Sequence, residues 1–147
     1  MKTLVVYDST YGNTEKIAQA IGEAIGGEVR RAGQVSPSDV KGFDLVIVGS
    51  PTMGGRPTEA IQALLKAVGA ALRGVNVAAF DTRLTSKWVR IFGYAAPRIA
   101  GSLKEMGATL LGSPEGFFVL GKAGPLKEGE LQRAAEWAKE IVKSKAW

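Results

Sequence analysis

Six residues, Ser9, Thr10, Tyr11, Gly12, Asn13 and Thr14, join an apolar, β-like run from Thr3 to Asp8 to a stretch with helical periodicity. At a strand-to-helix turn the unpaired backbone N–H groups and the positive end of the helix dipole converge on one point. Ser9, Thr10, Asn13 and Thr14 add side-chain donors there, so the expected occupant is an anion, and in particular a phosphate. No Lys or Arg stands among the six, which sets the loop apart from the Gly-Lys-Ser/Thr cradle of a nucleoside triphosphate and its metal. Hydroxyls without a cation suit a single terminal phosphate monoester. The competing reading is a capped turn in which Thr10 or Asn13 satisfies the first helical N–H groups and nothing binds.

The 147 residues include no cysteine and no histidine. Disulfides, thiol chemistry, iron–sulfur ligation, Ser-His-Asp and Cys-His nucleophiles, the usual zinc sites and histidine-ligated haem are thereby excluded. Carboxylates, hydroxyls and backbone remain, so any demanding chemistry falls to a cofactor. The length corresponds to one domain, 1–147, able to bury about two-thirds of the surface of its unfolded chain. Lys2 is followed within six residues by Asp8 and a polar loop, unlike a signal peptide, and no apolar run nears the roughly 20 residues of a membrane span. The expectation is a cytoplasmic chain with no membrane contact.

The elements that position the turn are legible from hydrophobic period. Leu4 to Tyr7 reads as a buried strand, and Ile17, Ala20, Ile21, Ala24 and Ile25 as one face of a helix stopped by Gly26-Gly27. Glu28 to Arg31 is a short polar edge strand, and a turn at Ser36 to Asp39 leads to a third strand, Leu45 to Val48. Pro57-Thr58-Glu59 opens a helix with Ile61, Leu64, Leu65, Val68 and Leu72 on one face, before a fourth strand, Val75 to Phe80. A long loop is expected from Asp81, then a helix around Pro97 to Met106 and a fifth strand, Thr109 to Leu111 and Phe117 to Leu120, interrupted at Gly112-Ser113-Pro114. The last helix, about Lys127 to Lys143, is expected to turn Leu131, Ala134, Ala138, Ile141 and Val142 inward. Strands apolar on both faces and separated by helices specify an α/β, doubly wound domain: a five-stranded parallel sheet with helices on both faces. Ligands of such domains sit beyond the carboxyl ends of the strands, where the loops Ser9 to Thr14, Ser50 to Arg56 and Asp81 to Tyr94 can share one crevice.

Two doubly wound classes fit poorly. No two glycines are separated by a single residue, so the Gly-x-Gly-x-x-Gly of a dinucleotide-binding unit is missing. Thr82 and Lys122 fall where response regulators keep a switch hydroxyl and lysine, but the third strand ends in Gly49-Ser50 and offers no phospho-accepting Asp. The chain instead resembles the flavodoxin family over essentially its whole length. Asp8 to Glu15 is similar to the loop that holds the FMN phosphate in that family. Gly49-Ser50-Pro51-Thr52-Met53-Gly54 is similar to the loop on the inner side of the isoalloxazine ring, and Asp81-Thr82-Arg83 with Trp88, Phe92 and Tyr94 takes the place of the outer one. The resemblance implies sheet order 2-1-3-4-5, non-covalent FMN and one-electron transfer, with no catalytic side chain. As cofactor-binding residues it implies Ser9, Thr10, Tyr11, Gly12, Asn13, Thr14, Pro51, Thr52, Met53, Gly54, Gly55, Asp81, Thr82, Arg83, Trp88 and Tyr94.

The residues agree with that implication chemically. A flavin needs apolar contact on its faces and backbone groups along its edge, which Thr52 to Gly55 can offer. Gly54 and Gly55 tolerate positive φ, so the Met53-Gly54 peptide can reorient next to a flavin; a plain turn before the helix is the alternative. Two departures from the family stand out. Met53 occupies a position that is often aromatic, and flavodoxins are typically acidic whereas this chain carries a net charge of +5. From Thr82 to Lys104 there are Arg83, Lys87, Arg90, Arg98 and Lys104 and no carboxylate, a basic rim that would steer acidic redox partner proteins toward the ring. The rim would also favour a more negatively charged, reduced flavin. Electron transfer between redox partners is therefore the expected function. A small FMN-dependent oxidoreductase, quinone-reductase-like or protoporphyrinogen-oxidase-like with its substrate in the 81–94 loop, is the alternative. A nucleic-acid partner is not expected, because aromatic and basic residues do not interleave as in an RNA-binding motif.

Overall fold

Leu4 to Val6 and Leu45 to Val48 are apolar at every position, so no face of either strand can be left to water, and in the computed structural model all seven residues are at most 1% exposed. The structure describes residues 1–85 and 93–147. Its elements are β1 (Thr3–Tyr7), α1 (Asn13–Ile25), β2 (Glu28–Arg31), α2 (Pro37–Val40), β3 (Leu45–Pro51), α3 (Glu59–Val68), β4 (Asn76–Leu84), α4 (Ala95–Glu105), β5 (Thr109–Leu110), β6 (Glu115–Val119) and α5 (Glu130–Lys143). All strand pairs are parallel, in the order β2-β1-β3-β4-β5, with β6 also on β4. The doubly wound expectation holds, and the interrupted fifth strand is two separate segments that both hydrogen-bond β4.

Alternation along the strands divides the core in two. Leu4, Val6, Val46, Val48, Val77 and Ala79 face α3 and α4, meeting Ile61, Leu65, Ile99 and Leu103. Val5, Tyr7, Ile47, Ala78, Phe80 and Phe117 face α1 and α5, meeting Ile17, Ile21, Ala134 and Ile141. Phe80, Phe117 and Trp137 close this second layer edge to face, with centroids 6.1 Å apart.

Three expectations are corrected. The strand Val75 to Phe80 continues through Leu84, so Asp81, Thr82 and Arg83 belong to β4 and not to a loop. The cause is β6, whose Glu115 to Val119 pair with Phe80 to Leu84 and satisfy backbone groups that would otherwise face solvent. The turn at Ser36 to Asp39 encloses a short helix, with the Asp39 carboxylate accepting from the Ser36 N–H at 2.8 Å and Oγ at 2.9 Å. Leu131 does not turn inward; it is 46% exposed, because Glu130, Ala134, Ala138 and Ile141 take the inward face of α5.

Glu130 itself is buried and anchors that helix to β6. Its carboxylate accepts from the Phe118 N–H at 2.7 Å and from Arg133 Nε at 2.9 Å. Burial works to raise its pKa, but the Arg133 guanidinium and the Phe118 N–H outweigh it and hold the carboxyl below its ordinary value.

Candidate functional site

The turn after β1 is braced from inside and open at its tip. Ser9 Oγ accepts from the N–H groups of Gly12 at 3.0 Å and Glu15 at 3.3 Å, which folds the chain back on itself. Gly12 makes the corner with φ 91°, and α1 begins at Asn13. Thr14 is buried, and its hydroxyl lies 2.7 Å from that of Thr82 on β4. Among the described residues no acceptor takes up the N–H groups of Thr10, Tyr11, Asn13 or Thr14. These unspent donors, the helix dipole behind them and the nearby hydroxyls are the chemistry that an anion such as a phosphate requires. Outside the turn Arg31 donates to the Ser9 carbonyl at 3.4 Å, with Asp8 at 3.7 Å and Glu15 at 4.0 Å as its counter-charges.

The second wall comes from the end of β3. Met53 N–H donates to the Arg56 carbonyl at 2.8 Å and Arg56 N–H to the Met53 carbonyl at 3.1 Å, closing a two-residue hairpin over Gly54 and Gly55. Both glycines have positive φ, 58° and 80°, a backbone that a side chain would strain. The hairpin holds Met53 out at 44% exposure, and Tyr11 stands 48% exposed on the phosphate turn. Apolar surface is thus presented on both sides of the crevice mouth.

The third wall is built on a buried carboxylate. Asp81 is wholly inaccessible and accepts from Arg83 Nε at 2.7 Å and Nη2 at 2.8 Å, and from the Ala96 N–H at 2.8 Å. Thr52 completes this cap on α4: its Oγ1 accepts from the Ala95 N–H at 3.1 Å. Burial is the largest influence on Asp81 and pushes its pKa up against the pull of Arg83, Ala96 and Thr52. Arg83 then lies flat, its guanidinium carbon 3.6 Å from the centre of the Tyr94 ring. Room for it exists only because β6 has Gly116 opposite Asp81; a Cβ there would fall within 2.1 Å of the guanidinium.

Of the residues singled out in the sequence, Ser9, Thr10, Tyr11, Asn13, Thr14, Pro51, Thr52, Met53, Thr82 and Arg83 line one crevice. Gly12, Gly54 and Gly55 shape its edges, and Asp81 lies beneath it as support for Arg83. Tyr94 stacks behind Arg83, and Trp88, Lys87, Arg90 and Phe92 lie outside the described residues. Sequence reasoning missed Leu84, Val119 and Lys122, which line the crevice too. Lys122 had a signal, a position between Gly121 and Gly124-Pro125 in the connection after β6, but not one that reveals which loop it meets.

A doubly wound parallel sheet with free N–H groups at the turn after β1 and a crevice at the carboxyl ends of β1, β3 and β4 is the architecture of a mononucleotide-binding α/β protein. The pattern of the flavodoxin family matches residues 5–137, and this chain belongs to that family. A flavodoxin of Maridesulfovibrio salexigens is 32% identical over 121 residues, 76% of this chain and 82% of that protein. An NAD(P)H dehydrogenase (quinone) of Cupriavidus metallidurans is 30% identical over 141 residues, 77% of this chain and 71% of that protein. Among solved structures, a flavodoxin from the domain Archaea superimposes with a TM-score of 0.82 at 26% identity, covering 97% of each chain. Flavodoxins bind FMN and transfer electrons to redox partner proteins. Among the described residues no helix is long and apolar enough to cross a membrane.

Proposed function

We propose that this protein is a cytoplasmic FMN-dependent electron carrier whose phosphate cradle is the turn Ser9 to Thr14. The observation that carries the reading is the set of unspent N–H groups at the start of α1, bordered by the exposed Met53 and Tyr11. FMN, when bound, supplies the redox centre. Thr10, Asn13 and Thr14 orient its phosphate; Met53 and the Gly54-Gly55 hairpin flank the ring edge; Arg83 and Tyr94 stiffen the far wall. Asp81 acts through Arg83 as a positioning residue. The test is the absorption spectrum of the purified protein with and without added FMN. A visible flavin band with tighter binding of FMN than of riboflavin supports the reading, and a colourless protein that FMN does not protect against heat overturns it.

The partner reading is finer. Acidic redox proteins suit a chain of net charge +5 whose exposed Lys122 lines the crevice and whose exposed Arg56 and Arg98 lie together beside α3 and α4. Arg83 does not count toward this rim, because Asp81 neutralises it, and Lys104 sits in the last turn of α4, at the end of the helix away from the cap. A second reading, a small quinone-reducing flavoenzyme, is favoured by the likeness to the Cupriavidus protein. Steady-state oxidation of NAD(P)H with quinones separates the two: rapid turnover by the isolated protein supports the enzyme, and its absence supports the carrier.

A further inference from the structure

The phosphate turn contains no cation, yet a monoester phosphate carries a charge of about −1.5 to −2 at neutral pH. We propose that Lys122, from the connection between β6 and α5, supplies the counter-charge to the phosphate of the bound nucleotide. The proposal rests on the FMN reading above and adds to it a binding residue from a loop distant in sequence.

The connection is a narrow hairpin and not a slack loop. Leu120 N–H donates to the Pro125 carbonyl at 2.9 Å, Lys127 N–H to the Phe118 carbonyl at 2.8 Å, and Val119 and Leu126 form an antiparallel bridge. At the tip, Gly124 N–H donates to the Gly121 carbonyl at 3.0 Å, which makes Gly121-Lys122-Ala123-Gly124 a tight turn. The tip is pressed against the start of α1: a Cβ on Gly124 would lie 2.7 Å from Asn13 Oδ1. Lys122 is thereby carried to the crevice that Ser9, Thr10, Asn13 and Thr14 line.

Charge accounting points the same way. The two arginines of this region are committed, Arg31 to Asp8 and Glu15, Arg83 to Asp81. Lys122 makes no ion pair among the described residues. A lysine suits the task, since its ammonium on a flexible stem can approach a phosphate from the solvent side without fixed geometry. The hydroxyls and N–H groups then orient the phosphate, and Lys122 contributes charge.

The experiment is a titration of wild type, Lys122→Met and Lys122→Arg with FMN and with riboflavin, at low and at high salt. Lys122 is exposed, so the variants leave the fold intact. Lys122→Met should weaken FMN about three- to tenfold at low salt, leave riboflavin unchanged, and show a smaller deficit at high salt. Lys122→Arg should recover most of the loss. FMN affinity of Lys122→Met within twofold of wild type at low salt overturns the proposal, as does an equal loss for riboflavin. A wild type that binds FMN no better than riboflavin is a different result: it removes the phosphate cradle itself.

Discussion

Thr14 has two duties where Thr10 has one. Both line the crevice, and if the turn holds the phosphate as proposed, removing either hydroxyl should weaken FMN by about 1 to 3 kcal/mol while leaving riboflavin untouched, as parallel titrations would show. Only Thr14, however, also meets Thr82 in the interior, at 2.7 Å. Thr14→Val therefore strands a buried hydroxyl and should lower the melting temperature of the ligand-free protein, whereas Thr10→Ala, at an exposed position, should not. Glu130 gives a pH test. Its pKa is lowered on folding, so its contribution to stability is present above the ordinary carboxylate range and is lost as pH falls through the lowered value. Glu130→Gln should destabilise the protein at neutral pH and shrink the difference in melting temperature between about pH 6 and about pH 3. That Ser9, Thr10, Asn13 and Thr14 line one crevice was legible in the sequence because they are nearly contiguous. The role of Asp81 was not, because its partners Thr52 and Ala96 are distant in the chain.

At the level of elements, most of the fold followed from apolar period, and the errors cluster at ends. The apolar period ends four residues before β4 does because Asp81-Thr82-Arg83 is polar, and only the partner strand β6 makes that polarity tolerable. Local propensity carries no information about such a partner. The same contact yields a test. Gly116→Ala must push Arg83 off Asp81, leaving a buried carboxylate without its bidentate partner. We expect a loss of about 2 to 4 kcal/mol in urea unfolding, larger than an alanine elsewhere in a sheet would cause. If the loss is instead a few tenths of a kcal/mol, the Asp81–Arg83 pair does not depend on that gap.

For the molecule as a whole, charge is the departure that function should feel. A net charge of +5 favours the more negative, reduced cofactor, so its reduction should be easier than in an acidic flavodoxin, by redox titration of the two side by side. Electron exchange with an acidic redox protein should slow steeply as salt rises, and exchange with a basic one should not. Beneath that surface, β4 runs with β3 on one side and β5 and β6 on the other, its odd and even residues serving opposite layers. Asp81 and Arg83 reach α4 and Tyr94, while Thr82 reaches Thr14. The crevice is in this sense written in phase: one residue inserted or deleted just ahead of Asp81 would send the carboxylate toward Thr14 and the hydroxyl toward α4 and Tyr94. Point replacement can retune such a cleft, but a frame shift within its central strand can only dismantle it.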